Sequence, residues 1–227
     1  MKKILTFAVA VAFSTALTAQ SVSTIHAGAN MSTFTGKDVE DAKFKFGYQV
    51  GFTQTFGDFI QIEPGLFLFN KGGKGEDAYS DPDYPEYSYD ITQTIGLTYL
   101  QIPVNFKVNL GIGDNMNLVL GAGVYASVGL FGNVKMKGKW GGENVDESAK
   151  VKFFGDVKDG EDKVEQAPID FGASIFAGLQ FGRIGVNVGY QPGFMSIERK
   201  YEGEERWKMN NSSIFLSLSY SLNDPNR

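Results

Sequence analysis

The sequence predicts an all-β fold, an eight-stranded antiparallel transmembrane β-barrel with long extracellular loops. Three observations predict it. Eight segments alternate apolar and polar residues with period two, as strands with one apolar and one polar face do. The connections between them alternate strictly between short and long. Beyond the N-terminal segment, no stretch approaches the ~20 apolar residues of a membrane helix.

The clearest strand is Thr98–Leu110. Leu100, Ile102, Val104, Phe106, Val108 and Leu110 share one face, and Tyr99, Gln101, Pro103, Asn105, Lys107 and Asn109 share the other. Such a run exceeds the ~5–6 residues usual in soluble sheets and suits a strand with lipid on one side and a polar lumen on the other.

In chain order, the first strand covers about Val22–Met31, with Ile25, Ala27, Ala29 and Met31 opposite Thr24, His26, Gly28 and Asn30. The second, Phe46–Phe56, sets Phe46, Tyr48, Val50 and Phe52 against Gly47, Gln49, Gly51 and Thr53. The third, Phe59–Asn70, sets Ile60, Ile62, Leu66 and Leu68 against Gln61, Glu63 and Gly65. The fourth is Ile95–Leu110. The fifth, Met116–Leu130, opposes Leu118, Leu120, Ala122, Val124, Ala126 and Val128 to Asn117, Gly121, Gly123, Tyr125 and Ser127. The sixth, Ile169–Phe181, opposes Phe171, Ala173, Ile175, Ala177 and Leu179 to Asp170, Gly172, Ser174, Gly178 and Gln180. In the seventh, Ile184–Met195, Val186, Val188 and Tyr190 oppose Gly185, Asn187, Gly189 and Gln191. The eighth, Asn211–Leu222, closes the set with Ile214, Leu216, Leu218 and Tyr220 against Ser213, Ser217, Ser219 and Ser221.

Short turns fall at Gly57-Asp58, Gly111–Asn115 and Gly182-Arg183; long loops fall at Ser32–Lys45, Lys71–Thr94, Phe131–Pro168 and Ser196–Asn210. Tight periplasmic turns and long extracellular loops are the plan of an outer-membrane barrel, and an even strand number puts both termini on the periplasmic side. The apolar rows carry no charge, and the other rows are rich in Gly, Ser, Asn and Gln, which fits a narrow barrel filled by its own side chains. Phe46, Tyr48, Phe52, Phe56, Phe59, Phe69, Phe181 and Tyr190 sit near strand ends, where aromatic girdles form. Within the long loops, Val134, Met136, Val151, Phe153 and Val157 suggest strands that extend above the membrane.

The first residues read as an export signal. Lys2 and Lys3 precede the apolar Ile4–Leu17, and small residues lead to cleavage between Ala19 and Gln20. The expected organisation is a signal peptide at 1–19 and one barrel domain at 20–227. The 227 residues include no cysteine, which excludes disulfides, thiolate metal sites and a lipidated cysteine. A net charge of −5 without a basic stripe argues against nucleic acid as a partner.

The segment Thr98-Tyr99-Leu100-Gln101-Ile102-Pro103-Val104-Asn105-Phe106-Lys107 resembles the Tyr-Leu-x-Ile-Pro-hydrophobic strand of a bacterial outer-membrane β-barrel domain family, the porin-family or PorT-like proteins of Bacteroidota. Gly121-Ala122-Gly123, the Thr-Ala-Gln at 18–20 and the chain length are similar as well. The resemblance covers the whole mature chain. It implies a Gram-negative outer-membrane address, contact with outer-membrane lipid and lipopolysaccharide, and insertion by the barrel-assembly machinery. It implies no activity, although a narrow porin-like channel or a barrel component of a secretion system is an alternative to a structural or interaction role.

Candidate site residues fall in two groups. His26, Gln61, Glu63, Gln101, Asn105, Lys107 and Asn187 share lumenal parity and are expected to form a polar network plugging the lower barrel. Glu63 and Lys107 would neutralise one another there. The loop acids Asp77, Asp81, Asp83, Glu86 and Asp90, beside Glu76 and Tyr79, Tyr84, Tyr87 and Tyr89, are candidates for a cation or partner contact, or simply a solvated loop. His26 is the single histidine and falls at the periplasmic end, so no Ser–His–Asp or metal set can be assembled. No enzyme and no cofactor are expected. Gly72-Gly73-Lys74-Gly75 lacks the strand–helix context of a phosphate loop.

Overall fold

A computed structural model of the chain describes residues 21–39, 41–155, 163–198 and 208–223. The segment expected to be a signal peptide, residues 1–19, and Val157 lie outside the described residues. The strands are β1 (Ser21–Thr35), β2 (Lys45–Phe56), β3 (Ile60–Tyr79), β4 (Tyr89–Gly113), β5 (Met116–Trp140), β6 (Glu143–Lys152), β7 (Lys163–Glu165), β8 (Ile169–Phe181), β9 (Ile184–Ser196) and β10 (Asn210–Ser221).

Eight of them close a ring in the order β4-β3-β2-β1-β10-β9-β8-β5, completed by pairing of β5 with β4. Each neighbouring pair in the ring is antiparallel. Closure leaves no sheet edge in the hydrocarbon, which lipid cannot satisfy. The eight predicted strands are those eight. The chain ends described, near Ser21 and Asn223, lie together at the end of the short turns, where the Leu222 amide donates to the Ser23 carbonyl at 2.8 Å.

The long connections differ from expectation. Much of the segment expected as a loop at Lys71–Thr94 is strand: Lys71–Tyr79 pairs with Leu97–Tyr89. Phe131–Trp140 likewise continues β5, paired on one side with β4 and on the other with β6, where Gly132–Trp140 runs against Val151–Glu143. The lower half of β5, Met116–Val128, pairs with β8 instead. β4 and β5 are 25 residues each, well beyond the ~9–11 that cross a bilayer, so their upper halves project as a blade with β3, β6 and the short parallel β7. Gly141 and Gly142, both at positive φ (56° and 84°), make the tight turn between β5 and β6, a conformation only glycine adopts freely. Val134, Met136 and Val151 are in these strands and Phe153 follows β6, as their pattern predicts. A one-residue bulge in β5 near Leu130, where Thr98 pairs with Phe131 but Tyr99 with Gly129, reverses its parity and turns Val134 inward.

Below the blade, the predicted apolar rows face outward and the predicted polar rows face the lumen. Phe46, Tyr48, Phe52, Phe59, Phe181 and Tyr190 are exposed as lipid-facing aromatics should be, with Phe46 the most exposed at 75%. Phe69 is a correction. It is 0% exposed inside the barrel, because it shares the parity of Gln61, Glu63 and Phe67 rather than that of Leu66 and Leu68.

The glycines of the lumenal rows have a packing reason. Phe67 lies directly across from Gly51, Phe176 from Gly121, Phe215 from Gly189 and Tyr125 from Gly172. A Cβ on Gly121 would stand 2.3 Å from the Phe176 ring, and one on Gly189 would stand 2.4 Å from Phe215. Each aromatic therefore fills the space its cross-strand glycine leaves. Gly121→Val is expected to cost about 1–3 kcal/mol by overpacking, read as a lower denaturant midpoint of the refolded barrel in lipid. Gly75→Val, where nothing lies within 4 Å, should leave the midpoint unchanged.

Candidate functional site

The lumen is built in layers. At the short-turn end, a vestibule of about 770 Å³ is lined by Thr24, His26, Gln61, Asn109, Asn117, Asn187 and Ser219, among others. Glu63 from β3 and Lys107 from β4 lie at its wall as an ion pair, 2.5 Å between Lys107 Nζ and Glu63 Oε2. Two hydroxyls that the sequence reading did not single out complete the cluster. Thr55 Oγ1 donates to the same carboxylate oxygen at 2.9 Å and Thr53 Oγ1 at 3.3 Å, while His26 Nε2 meets Thr53 Oγ1 at 2.9 Å. Glu63 thus contacts the hydroxyl that His26 contacts and not the imidazole itself, so the three do not form a charge-relay chain.

The other predicted members of this network are elsewhere. Gln101 Nε2 donates to Gln191 at 3.3 Å, and Asn105 accepts from Ser174 Oγ at 2.9 Å, both in the middle of the barrel. Gln61 is buried and its Oε1 has no partner among the described residues. Asn187 packs its amide against Gly178. The residues of the expected single polar plug therefore fall into three bonded groups, with Gln61 and Asn187 apart from them, and the lower barrel encloses a vestibule. Above it, a cavity of about 50 Å³ is lined by Phe67, Phe176 and Phe215.

The seal lies higher and was not foreseen. Lys71 of β3 and Asp170 of β8 meet at 3.1 Å, with side chains 0% and 1% exposed. Asp170 Oδ2 also accepts from Asn211 Nδ2 at 3.3 Å and from the Tyr125 hydroxyl at 3.4 Å. The Lys71 ammonium sits 3.9 Å from the Tyr125 ring centre, with Phe69 at 5.2 Å and Tyr99 at 5.8 Å. Three aromatic faces and one carboxylate replace water around it. On top, Phe34, Ile95, Leu97, Val134, Val151, Phe153 and Ile197 form an apolar cap joined to Tyr99. The sequence carried a signal for this layer: Asp170 is a carboxylate on a lumenal row and requires a cation. Its partner, Lys71, lies one residue past the predicted end of the third strand at Asn70.

Residues 18–199 match the outer membrane protein beta-barrel domain. The chain belongs to that family. It is an integral β-barrel protein of the bacterial outer membrane. No curated protein sequence matches it. Among solved structures, this outer-membrane barrel is similar to Ail, the attachment invasion locus protein of Yersinia pestis (13% identity over 90% of this chain and 100% of that one, TM-score 0.39). It is also similar to Neisserial surface protein A (7% identity, 89% and 99% covered, TM-score 0.42) and to the N-terminal barrel domain of Pseudomonas aeruginosa OprF (10% identity, 89% and 100% covered, TM-score 0.33).

At the blade tip of this outer-membrane barrel, the five loop acids do not converge. Asp77 and Asp90 are in β3 and β4, while Asp81 accepts the backbone amides of Asp83 and Tyr84 at 3.0 and 3.1 Å and so shapes a turn. Among the described residues, no three His, Cys, Asp or Glu side chains group as a metal site would need. Glu76 pairs with Lys43. The tip is aromatic as well as acidic: Tyr89 stacks on Trp140 at 5.2 Å and approaches Tyr79 at 6.0 Å. The Asp77 carboxylate, 3.4 Å from the Tyr89 hydroxyl, holds that phenol above its ordinary pKa.

The ion pair at the vestibule makes a prediction. Glu63→Gln and Lys107→Met should each destabilise the barrel by about 1–3 kcal/mol. The double variant should cost at least ~0.5 kcal/mol less than their sum. A double-mutant cycle from urea unfolding in vesicles checks it; strictly additive losses would contradict the coupling.

Proposed function

We propose that the protein is a closed, non-catalytic barrel whose role is structural or interactive, displaying the β3–β6 blade outside the cell. The observation that supports this reading is the sealed layer at Lys71 and Asp170, roofed by aromatic rings and an apolar cap. A conducting path requires a continuous polar lumen, and a fully buried ion pair enclosed by aromatic rings interrupts it.

In this reading the short turns and both termini face the periplasm, and the 1–19 segment is a signal peptide removed on export. The source is Gram-negative, and the likeness of Thr98–Lys107 to PorT-like strands supports membership of that subgroup. The barrel-assembly machinery inserts it, and lipid and lipopolysaccharide surround it. The acidic, aromatic blade tip is the surface offered to a protein partner.

Purified protein in planar bilayers tests the reading. It predicts a silent membrane at protein amounts where a general porin of known conductance gives steps. Stable, reproducible conductance steps would overturn the closed barrel and favour a narrow channel.

A further inference from the structure

The blade leaves the membrane through a cationic girdle on its outer face. Moving up from the lipid-facing row Leu68–Leu100–Val128, the paired residues become Asn70–Thr98–Phe131, then Gly72–Gly96–Asn133, then Lys74–Thr94–Lys135. Lys74 and Lys135 therefore flank Thr94 from either side, about 10 Å apart at Cα, close enough for two lysine side chains to share one anion. Lys45, at the top of β2, reaches the same face. Its Nζ donates to Asn70 Oδ1 at 2.6 Å, and its chain lies over Gly96, where a Cβ would come within 3.0 Å of Lys45 Cε and 3.2 Å of Asn133 Oδ1.

Among the described residues these cations have no counter-charge. Lys43 takes Glu76 and Lys137 takes Asp146, whereas Lys45, Lys74 and Lys135 have no carboxylate at ion-pair distance among the described residues. Lys43 bridges to Lys74, which brings Lys45, two residues further on, to the same edge of β3. Like charges gathered without counter-charge favour an anion between them. The apolar surface directly beneath, with Phe46 and Phe131 exposed beside it, is already a lipid surface.

We infer that Lys45, Lys74 and Lys135 bind the phosphorylated headgroup of an outer-leaflet lipid whose acyl chains lie on the Leu68–Leu100–Val128 face. The occupant is a lipid and not free phosphate because the cations are continuous with that apolar face. The inference rests on the proposed outward orientation of the blade only for which leaflet supplies the lipid.

The test uses folded protein in uncharged detergent, which has no sides, and a multiply acylated glucosamine disaccharide carrying two phosphates, with its dephosphorylated form as comparator. Binding is read by native mass spectrometry. The wild type should prefer the phosphorylated lipid by about 10–100-fold, as three interfacial lysines would give. The variant K45Q/K74Q/K135Q should lose that preference, and K139Q, higher on the blade, should keep it. Heat-modifiable migration on gels verifies that each variant is folded. An unchanged preference in the triple variant, equal binding of the dephosphorylated lipid, or full displacement by millimolar inorganic phosphate would each overturn the inference. Labelling of a blade cysteine in intact cells tests orientation separately, so failure of one is not mistaken for failure of the other.

Discussion

Asp170→Ala is expected to destabilise the barrel by about 3–5 kcal/mol, the largest loss of any single substitution considered. The cause is the ammonium left behind. Lys71 is 0% exposed, three aromatic rings surround its ammonium, and among the described residues Asp170 is its one anionic partner. Removing the carboxylate leaves a cation that neither water nor another side chain can solvate, and it also frees Asn211 Nδ2 and the Tyr125 hydroxyl. Lys71→Met should cost less, because the remaining carboxylate keeps those two donors. The double variant Lys71→Met, Asp170→Leu should recover much of the loss, since apolar groups of similar size can replace a buried ion pair. Urea titration of the three proteins in lipid vesicles gives the comparison. Equal midpoints for wild type and Asp170→Ala would show that the pair is hydrated and the layer is not a seal.

Leu97→Ala is expected to cost about 2–5 kcal/mol, by loss of a fully buried side chain and the cavity that remains. Leu97 stands in the cap among Phe34, Ile95, Val134, Val151, Phe153 and Ile197, residues from β1, both halves of the blade and the connections around it. The cap is what fastens the blade to the barrel, so its loss should appear first as local opening. Limited proteolysis should cut the variant near Gly141-Gly142 faster than wild type while the barrel still migrates as a folded species. Unchanged cleavage would mean that the blade is held by its strand pairing alone.

The strands, their faces and their order were legible because a lipid face tolerates no ambiguity. Charge is costly there, so Leu100, Ile102, Val104 and Phe106 must alternate with polar neighbours. The blade was less legible because both of its faces meet water over much of its length: Val134, Met136, Val151 and Phe153 suggest strands there, but not that β6 pairs with the upper half of β5. The Glu63–Lys107 contact followed from parity and depth. The Lys71–Asp170 contact did not, because it joins strands three apart in the ring and residues 99 apart in the chain, and parity alone does not say which lumenal residues meet across the bore. The pairing of Phe67, Phe176 and Phe215 with glycines was hidden for a related reason: registers between strands, not patterns within them, bring each ring to its gap.

The closed lumen is tested most directly by chemical access from its two ends. The chain has no cysteine, so Asn187→Cys places a single thiol in the vestibule, below the Lys71–Asp170 layer. In vesicles of defined orientation, a small charged thiol reagent should modify it when added at the short-turn end and leave it untouched when added at the blade end. Modification at comparable rates from both ends would contradict the seal and make the barrel an open pore.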